Sequence, residues 1–338
     1  MKMKKLKNIY QPITEDLCRV EDLLRSHLNT KYNSLCRIND YLLGWGGKRL
    51  RPALVMLSAH AAANGKLKSK DLSLLIRMAA AIELIHTASL IHDDIIDNSL
   101  TRRNKQTIHA KWGEDVSIAF GDYIYTKAFE LVAKCGHPDV LGCVAVAARA
   151  MCEGQLFQIF ERDNFDLPQK EYMVIVNKKT AALISACCKG AALIAGNHDK
   201  EKYTALNNYG VNFGIAFQVV DDYLDIIAAK SILGKSGGQD IAQGEITLPL
   251  YDLFNSLAAK DRKELKEHLA KRNISKEIMD KIKDKIKDSA IFIKTKEEAL
   301  SSINKSKHSL GKLSRSSYRD ALGDLADYVI ERGFGACL

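Results

Sequence analysis

The chain has 338 residues, enough for one or two domains, with 46% hydrophobic and 27% charged residues and a formal net charge of +9. No apolar run reaches the roughly 18–20 uncharged residues of a membrane span, and the basic start MKMKKLKNIY lacks the apolar stretch of a signal peptide, so a cytoplasmic protein is expected. The eight cysteines form no CxxC pair and read as reduced core residues, and the positive charge suits phosphorylated small molecules or an anionic membrane surface better than nucleic acid, for which no motif is present.

With only five prolines and long Ala- and Leu-rich tracts, helices are predicted throughout. A first helical region over 13–43 ends at LLGWGGKRLRP, where Gly44, Gly46 and Gly47 make a stop and a turn. Pro52 suits the first turn of the next helix, which runs to Gly65. Residues 71–98 place Leu75, Met78, Ala79, Ile82, Ile85, Ala88 and Ser89 in helical register. Further helices are predicted over 114–134, 138–162, 169–195, 201–230 and 247–257, with loops at 100–113, 163–168 and 231–246. The last third reads as three or four amphipathic helices, in which lysines alternate with Asp and Glu on a solvated face. No linker separates domains, so a single all-α domain over residues 1–338 is expected.

The chemistry starts at LIHDDIIDNSLTRRNKQT, residues 90–107. Residues four apart share a helix face, so Asp93 and Asp97 can converge on one ion, while Asp94 points aside and could orient a ligand or meet a second ion. Hard carboxylate oxygens with few other donors suit Mg²⁺, which keeps waters and takes phosphate oxygens as further ligands. FQVVDDYLDI repeats the spacing with Asp221, Asp222 and Asp225. Two such helices facing each other would hold a diphosphate through bridging Mg²⁺. The glycine turn GGKRLRP adds Lys48, Arg49 and Arg51 at a helix start, a cradle for phosphate oxygens, although Arg49 also fits a purely structural place. Two acidic seats and one basic cradle imply two diphosphates, one bound through metal and one bound directly.

On GGKRLRP, HTASLIHDDIIDNSLTRR, NKKTAALISACCKGAALIAG, FGIAFQVVDDYLDI, LGKSGGQDIAQGEITLPL and LADYVIERG, in this order and spacing, the chain resembles the trans-type isoprenyl diphosphate synthases, or polyprenyl synthetases, over about residues 20–335. The resemblance implies a large all-α bundle around a deep central cavity, usually as a homodimer. It implies that Asp93, Asp97, Asp221 and sometimes Asp225 bind two or three Mg²⁺ ions (Mn²⁺ as a substitute) carrying an allylic diphosphate such as farnesyl diphosphate. Lys48, Arg51, His86 and Arg103 match contacts to isopentenyl diphosphate. Arg102, Lys179, Thr180, Gln218 and Lys235 match contacts to the allylic substrate, Thr180 and Gln218 also stabilising its cation. Three positions depart from the family pattern. Asn104 and Gln106 replace a glycine and a proline after the paired arginines, where Asn tolerates a left-handed backbone. Glu245 replaces a lysine before TLP, in a segment that is a flexible lid in the family.

The positions four and five before Asp93 are Ser89 and Ala88, with Ile85 next along that face. Their small side chains leave a path for a growing apolar chain, and a long-chain product of roughly six to ten isoprene units is expected, with peripheral membrane contact for its release. The alternatives are a short-chain synthase, a class I terpene cyclase, which would not need GGKRLRP, a non-catalytic partner subunit, which usually loses one acidic motif, and a nucleic-acid-binding protein.

Overall fold

Leucine, alanine and charged residues at helical spacing build nearly every element of the computed structural model, which describes residues 2–196, 199–227, 238–272, 274–287 and 289–335. The N-terminal basic stretch is itself a helix, α1 (Lys2–Tyr10), because Leu6, Ile9 and Tyr10 fall on one face and are buried. The region expected as helical over 13–43 is two helices, α2 (Thr14–Leu28) and α3 (Asn33–Leu43). Asn29 turns extended, and the carbonyl left at Leu28 accepts from the Asn39 amide at 2.6 Å. Then follow α4 (Leu50–Ala62), α5 (Ser69–Ile96), α6 (Ile108–Trp112), α7 (Glu114–Ala133) and α8 (Pro138–Phe160). α9 (Gln169–Val176) continues through one π turn, Asn177–Ala181, into α10 (Ala182–Ala195), and α11 is Lys200–Ile227. Helices Gln239–Ala242, Leu248–Ser256, Ala259–Ala270, Lys276–Ile286, Ala290–Ser309 and Ser317–Phe334 complete the chain.

The residues fall into two compact units. The first comprises Met1–Ala148, Leu183–Gly210 and Ser309–Leu325. Its core is α5, against which α2, α4 and α7 pack. Ala53–Leu57 of α4 and Met78–Ile82 of α5 are sealed from solvent, and small Ala side chains let these helices approach closely. Cys187 and Cys188 are buried and unpaired, and burial pushes the Cys188 thiol up to about 12, the behaviour of an inert core residue. The second unit comprises Arg149–Ala182, Val211–His308 and Ala326–Leu338. Tyr223, Phe292 and Phe334 cluster there with ring centroids 5.2–5.8 Å apart, and Phe254 tilts against Phe165.

Among the described residues two helices are long and apolar enough to cross a membrane by length and composition, α5 and α8. α5 is 61% buried over its apolar window and serves as the core of its unit, whereas α8 is only 33% buried.

The π turn is held by two glycines whose missing side chains admit backbone. A Cβ on Gly154 of α8 would stand 2.6 Å from the Lys179 nitrogen, and one on Gly214 of α11 would stand 2.5 Å from the Ala181 Cα. Gly154→Ala and Gly214→Ala should each destabilise the protein by about 1–3 kcal/mol through forced backbone displacement. Gly142→Ala, on the same helix as Gly154 but in open space, should be neutral or stabilising by about 0.5–1 kcal/mol. Urea unfolding of the three variants checks this, and equal midpoints would contradict it.

Candidate active site

In the first unit, the glycine turn before α4 brings a set of cations together. Arg49 is left-handed at φ 48° and caps α4, its guanidinium paired with Glu21 and, at 2.9 Å, with the buried carboxylate of Glu83. Its role is therefore structural. Arg51, in the first turn of α4, has no ion pair among the described residues, and its buried Nε has no hydrogen-bond partner there, an orphan donor that an anion would satisfy. Lys48 is exposed at the turn. Leu24 and Leu28 of α2, Leu42 and Trp45 line a cavity whose polar wall includes Arg49, Glu83, His86 and Arg103.

His86 is held neutral. Its pKa lies well below 6.5, first through burial and then through the charges of Arg51, Arg102, Arg103 and Arg49. An unfolded chain would bind a proton below about 6.5 that the folded one refuses, so this group's contribution is lost as pH falls below that value. A bound diphosphate offsets the four arginines and lifts the His86 pKa, so binding near pH 6.5 should take up a proton. Calorimetric titration with diphosphate in buffers of different ionisation enthalpy measures this uptake. His86→Gln should lower it relative to the native chain, and an unchanged uptake would rule out His86 as its source.

The stretch expected as a loop over 100–113 contains a hairpin, β1 (Thr101–Arg102) against β2 (Lys105–Gln106), and the short helix α6. The two central residues are Arg103 and Asn104, with φ 51° and 61°. Positive φ at both positions is the signature of the two-residue type I′ turn, so Asn104 serves where the family carries glycine. The hairpin is tied to the glycine turn: Arg103 donates to the Gly46 carbonyl, Lys105 Nζ to the Gly44 carbonyl at 2.6 Å, and the Tyr41 hydroxyl to the Gln106 carbonyl at 2.9 Å. A Cβ on Gly47 would stand 2.9 Å from the Arg103 guanidinium.

Asp93 and Asp97 stand half-buried at the C-terminal end of α5, where the helix dipole also favours cations. Asp94 takes a different place from the ligand role open to it. It is buried, and its Oδ1 accepts from Nε and Nη2 of Arg102, both at 2.8 Å, so the acid beside Asp93 orders the hairpin arginine. Burial raises the Asp94 pKa against the opposing pull of Arg102. Ala88 and Ile85 are sealed in the core and Ser89 is half-buried, its hydroxyl donating to the His86 carbonyl at 2.8 Å.

In the second unit the repeated acids diverge. Asp221 pairs with Arg332, whose guanidinium also lies over the Phe217 ring at 4.9 Å. Burial lowers the Arg332 pKa to about 10. Asp222 is buried and accepts from the Tyr172 hydroxyl at 2.6 Å and from Gln218 Nε2 at 2.7 Å. Burial pushes its pKa up to about 6. Asp225, which the resemblance gives as an occasional metal ligand, is buried and anchors a turn: its Oδ2 accepts the Asp240 N–H at 3.1 Å and its carbonyl the Gly238 N–H at 2.6 Å. The Thr180 hydroxyl donates to Gln218 Oε1 at 2.6 Å and Lys179 Nζ to Gln158 Oε1 at 2.5 Å. Glu245 is buried and accepts from Gln158 at 2.7 Å and Arg162 at 3.3 Å. Lys235 lies outside the described residues.

Among the described residues no three His, Cys, Asp or Glu side chains close on a metal. The half-buried carboxylates of Asp93 and Asp97 are hard oxygen donors of the kind that Mg²⁺ takes one or two at a time, with water and phosphate completing its shell. Sequence reasoning missed Arg332, Tyr172, Gln158 and Glu83. Arg332 sits in the quoted segment LADYVIERG, a signal to which no role was attached; the other three carry none at short range.

The chain matches the family described as polyprenyl synthetase over residues 32–286. It is 37% identical over 310 residues to a short chain isoprenyl diphosphate synthase of Methanothermobacter thermautotrophicus, covering 88% of this chain and 90% of the other. It is 33% identical over 335 residues to heptaprenyl diphosphate synthase component 2 of Geobacillus stearothermophilus, covering 98% and 100%. Among solved structures it is similar to a polyprenyl synthase from Caulobacter crescentus CB15 complexed with calcium and isoprenyl diphosphate, at a TM-score of 0.90 and 32% identity, covering 97% of this chain and 98% of that one.

Proposed function

Since the chain belongs to the polyprenyl synthetase family and is a trans-prenyltransferase acting on isoprenoid diphosphates, we propose that it condenses isopentenyl diphosphate with an allylic diphosphate to make an all-trans, long-chain polyprenyl diphosphate. The observation that carries this reading lies on one helix. α5 offers His86 to the arginine-rich cavity and Asp93 and Asp97 at its end, about 10 Å further along the axis. One seat takes a diphosphate by direct cationic contact and the other by carboxylate-held metal.

Asp93 and Asp97 of the first unit, and Asp221 of the second, would hold Mg²⁺, or Mn²⁺ in its place, which would supply Lewis-acid charge to the diphosphate leaving at the allylic C–O bond. Lys48, Arg51, His86 and Arg103 hold isopentenyl diphosphate, and Arg51 supplies the donor that lacks a partner. Lys179 and Arg102 add positive charge towards the allylic diphosphate. As the C–O bond breaks, its electron pair leaves with the diphosphate, and the double bond of isopentenyl diphosphate attacks the allylic cation. The oxygens of Thr180 and Gln218 offer negative dipole ends to that cation. A proton then leaves to the released diphosphate, and apolar walls exclude water that would quench the cation.

The relatives make products of several lengths by name, and small Ala88 and Ser89 support the long-chain reading. The family match spans residues of both compact units, which supports one domain. A second copy of the chain is the proposed cover for α8, on which Leu141, Val146, Leu156 and Phe160 are exposed. The test is incubation with isopentenyl and farnesyl diphosphates and Mg²⁺, with products resolved by reversed-phase chromatography. Elongated polyprenyl products are expected. Release of cyclised hydrocarbon from the allylic substrate alone, or no release of diphosphate, would overturn the reading.

A further inference from the structure

Lys179 and Thr180 are neighbours in sequence, and an α-helix would point them about 100° apart. Here they sit in the π turn Asn177–Ala181, and each is gripped by the carbonyl oxygen of a glutamine side chain. The two grips share one construction. Gln158 accepts from Lys179 Nζ at 2.5 Å and gives its amide hydrogens to Glu245 Oε2 at 2.7 Å. Gln218 accepts from the Thr180 hydroxyl at 2.6 Å and gives its amide hydrogens to Asp222 Oδ1 at 2.7 Å.

An amide side chain has two ends, and nothing in its own shape decides which faces which neighbour. A carboxylate decides it, because an ionised carboxylate only accepts hydrogen bonds. The NH₂ must turn to the acid, so the oxygen must turn to the other side, towards Lys179 or Thr180. Both acids are buried, at 6% exposure for Glu245 and 3% for Asp222, where an unmatched amide would be costly. Each acid is itself fixed from behind, Glu245 by Arg162 and Asp222 by the Tyr172 hydroxyl.

We propose that Glu245 and Asp222 are positioning residues that fix the amide orientation of Gln158 and Gln218, and so hold Lys179 and Thr180 ready for the allylic diphosphate. This rests on the prenyltransferase reading for what Lys179 and Thr180 meet. It assigns Glu245, which reverses the charge usual at its position, a role inside the site rather than a loss there. Reversal is tolerated because Arg162 supplies the opposite charge and Gln158 transmits the carboxylate's direction to Lys179.

Glu245 lies outside the aspartate motif and gives the cleaner test. The variants are Glu245→Gln, Glu245→Leu, Gln158→Leu and the Glu245→Leu/Gln158→Leu pair, assayed with farnesyl and isopentenyl diphosphates and followed by thermal melting. Gln158→Leu keeps the Glu245–Arg162 pair, so it isolates the grip on Lys179 if Glu245→Leu fails to fold. Gln158→Leu should raise KM for farnesyl diphosphate about tenfold, the size of one lost charge-assisted hydrogen bond, and leave KM for isopentenyl diphosphate within about twofold. Glu245→Leu should do the same, the pair should be no worse than either alone, and Glu245→Gln should share the loss, because its single carbonyl must face the Arg162 donor and its NH₂ then draws the Gln158 oxygen away from Lys179. Multiplied effects in the pair, or equal rises in both KM values, would overturn the proposal. An inactive native chain would instead sink the prenyltransferase reading itself, so the two failures are distinct.

Discussion

Replacing Asp93 with alanine is expected to cut turnover by about a thousandfold or more, a loss of about 4 kcal/mol of transition-state stabilisation. The carboxylate stands at the end of α5 where both its own charge and the helix dipole attract a cation, and alanine removes the first. Helix content should hold, because alanine is a good helix former and Asp93 is only half-buried. Asp97→Ala should behave alike. Asp221 calls for a different substitution, since alanine there would remove the carboxylate paired with the half-buried Arg332. Asp221→Asn keeps a hydrogen-bond acceptor and removes only the charge, and should cost turnover with little loss of stability. Chelation of divalent metal should abolish turnover in the native chain and Mg²⁺ should restore it. Steady-state rates with circular dichroism as the control decide the matter, and near-native turnover of Asp93→Ala would remove it from the metal ligands.

The second large effect is on product rather than rate. Ala88→Phe is expected to shorten the proposed long-chain product, roughly six to ten isoprene units, to about three or four, by placing a ring across the proposed path of the growing chain. Ala88 is sealed from solvent within α5, so the ring also costs about 1–3 kcal/mol of overpacking, visible as a lower melting temperature. Chromatography of the extracted products reads the first effect and melting the second. A native chain that already stops at about three or four units with isopentenyl diphosphate in excess would show that small residues at 88 and 89 do not set the length.

What the sequence disclosed was whatever is written at short range. The acid pairs follow from a spacing of four on a helix, and the cradle from glycines beside basic residues. Asn104 was readable as a left-handed position, though not as half of a hairpin. The divergence of the acids was not readable. Asp93 and Asp94 are adjacent, yet Asp94 is buried against Arg102 while Asp93 is half-buried, and that depends on how the hairpin folds back. Asp221 and Arg332 are separated by more than a hundred residues, and Asp225 is claimed by a turn whose backbone amides have no side-chain signature. The break at Asn29 escaped for a similar reason: the residue that satisfies it is Asn39, in the following helix.

The π turn has a further consequence, for the kind of genetic change the protein can accept. A π turn is an α-helix carrying one residue too many, so its length is information in a way that its side chains are not. Taking out Asn177 or Lys178 would let the backbone relax to ordinary helical geometry and would carry Lys179 and Thr180 about 100° around the axis, away from Gln158 and Gln218. Point substitutions at exposed Asn177 leave the count intact. This short segment should therefore accept changes of letter at its outer face while refusing any change of reading length.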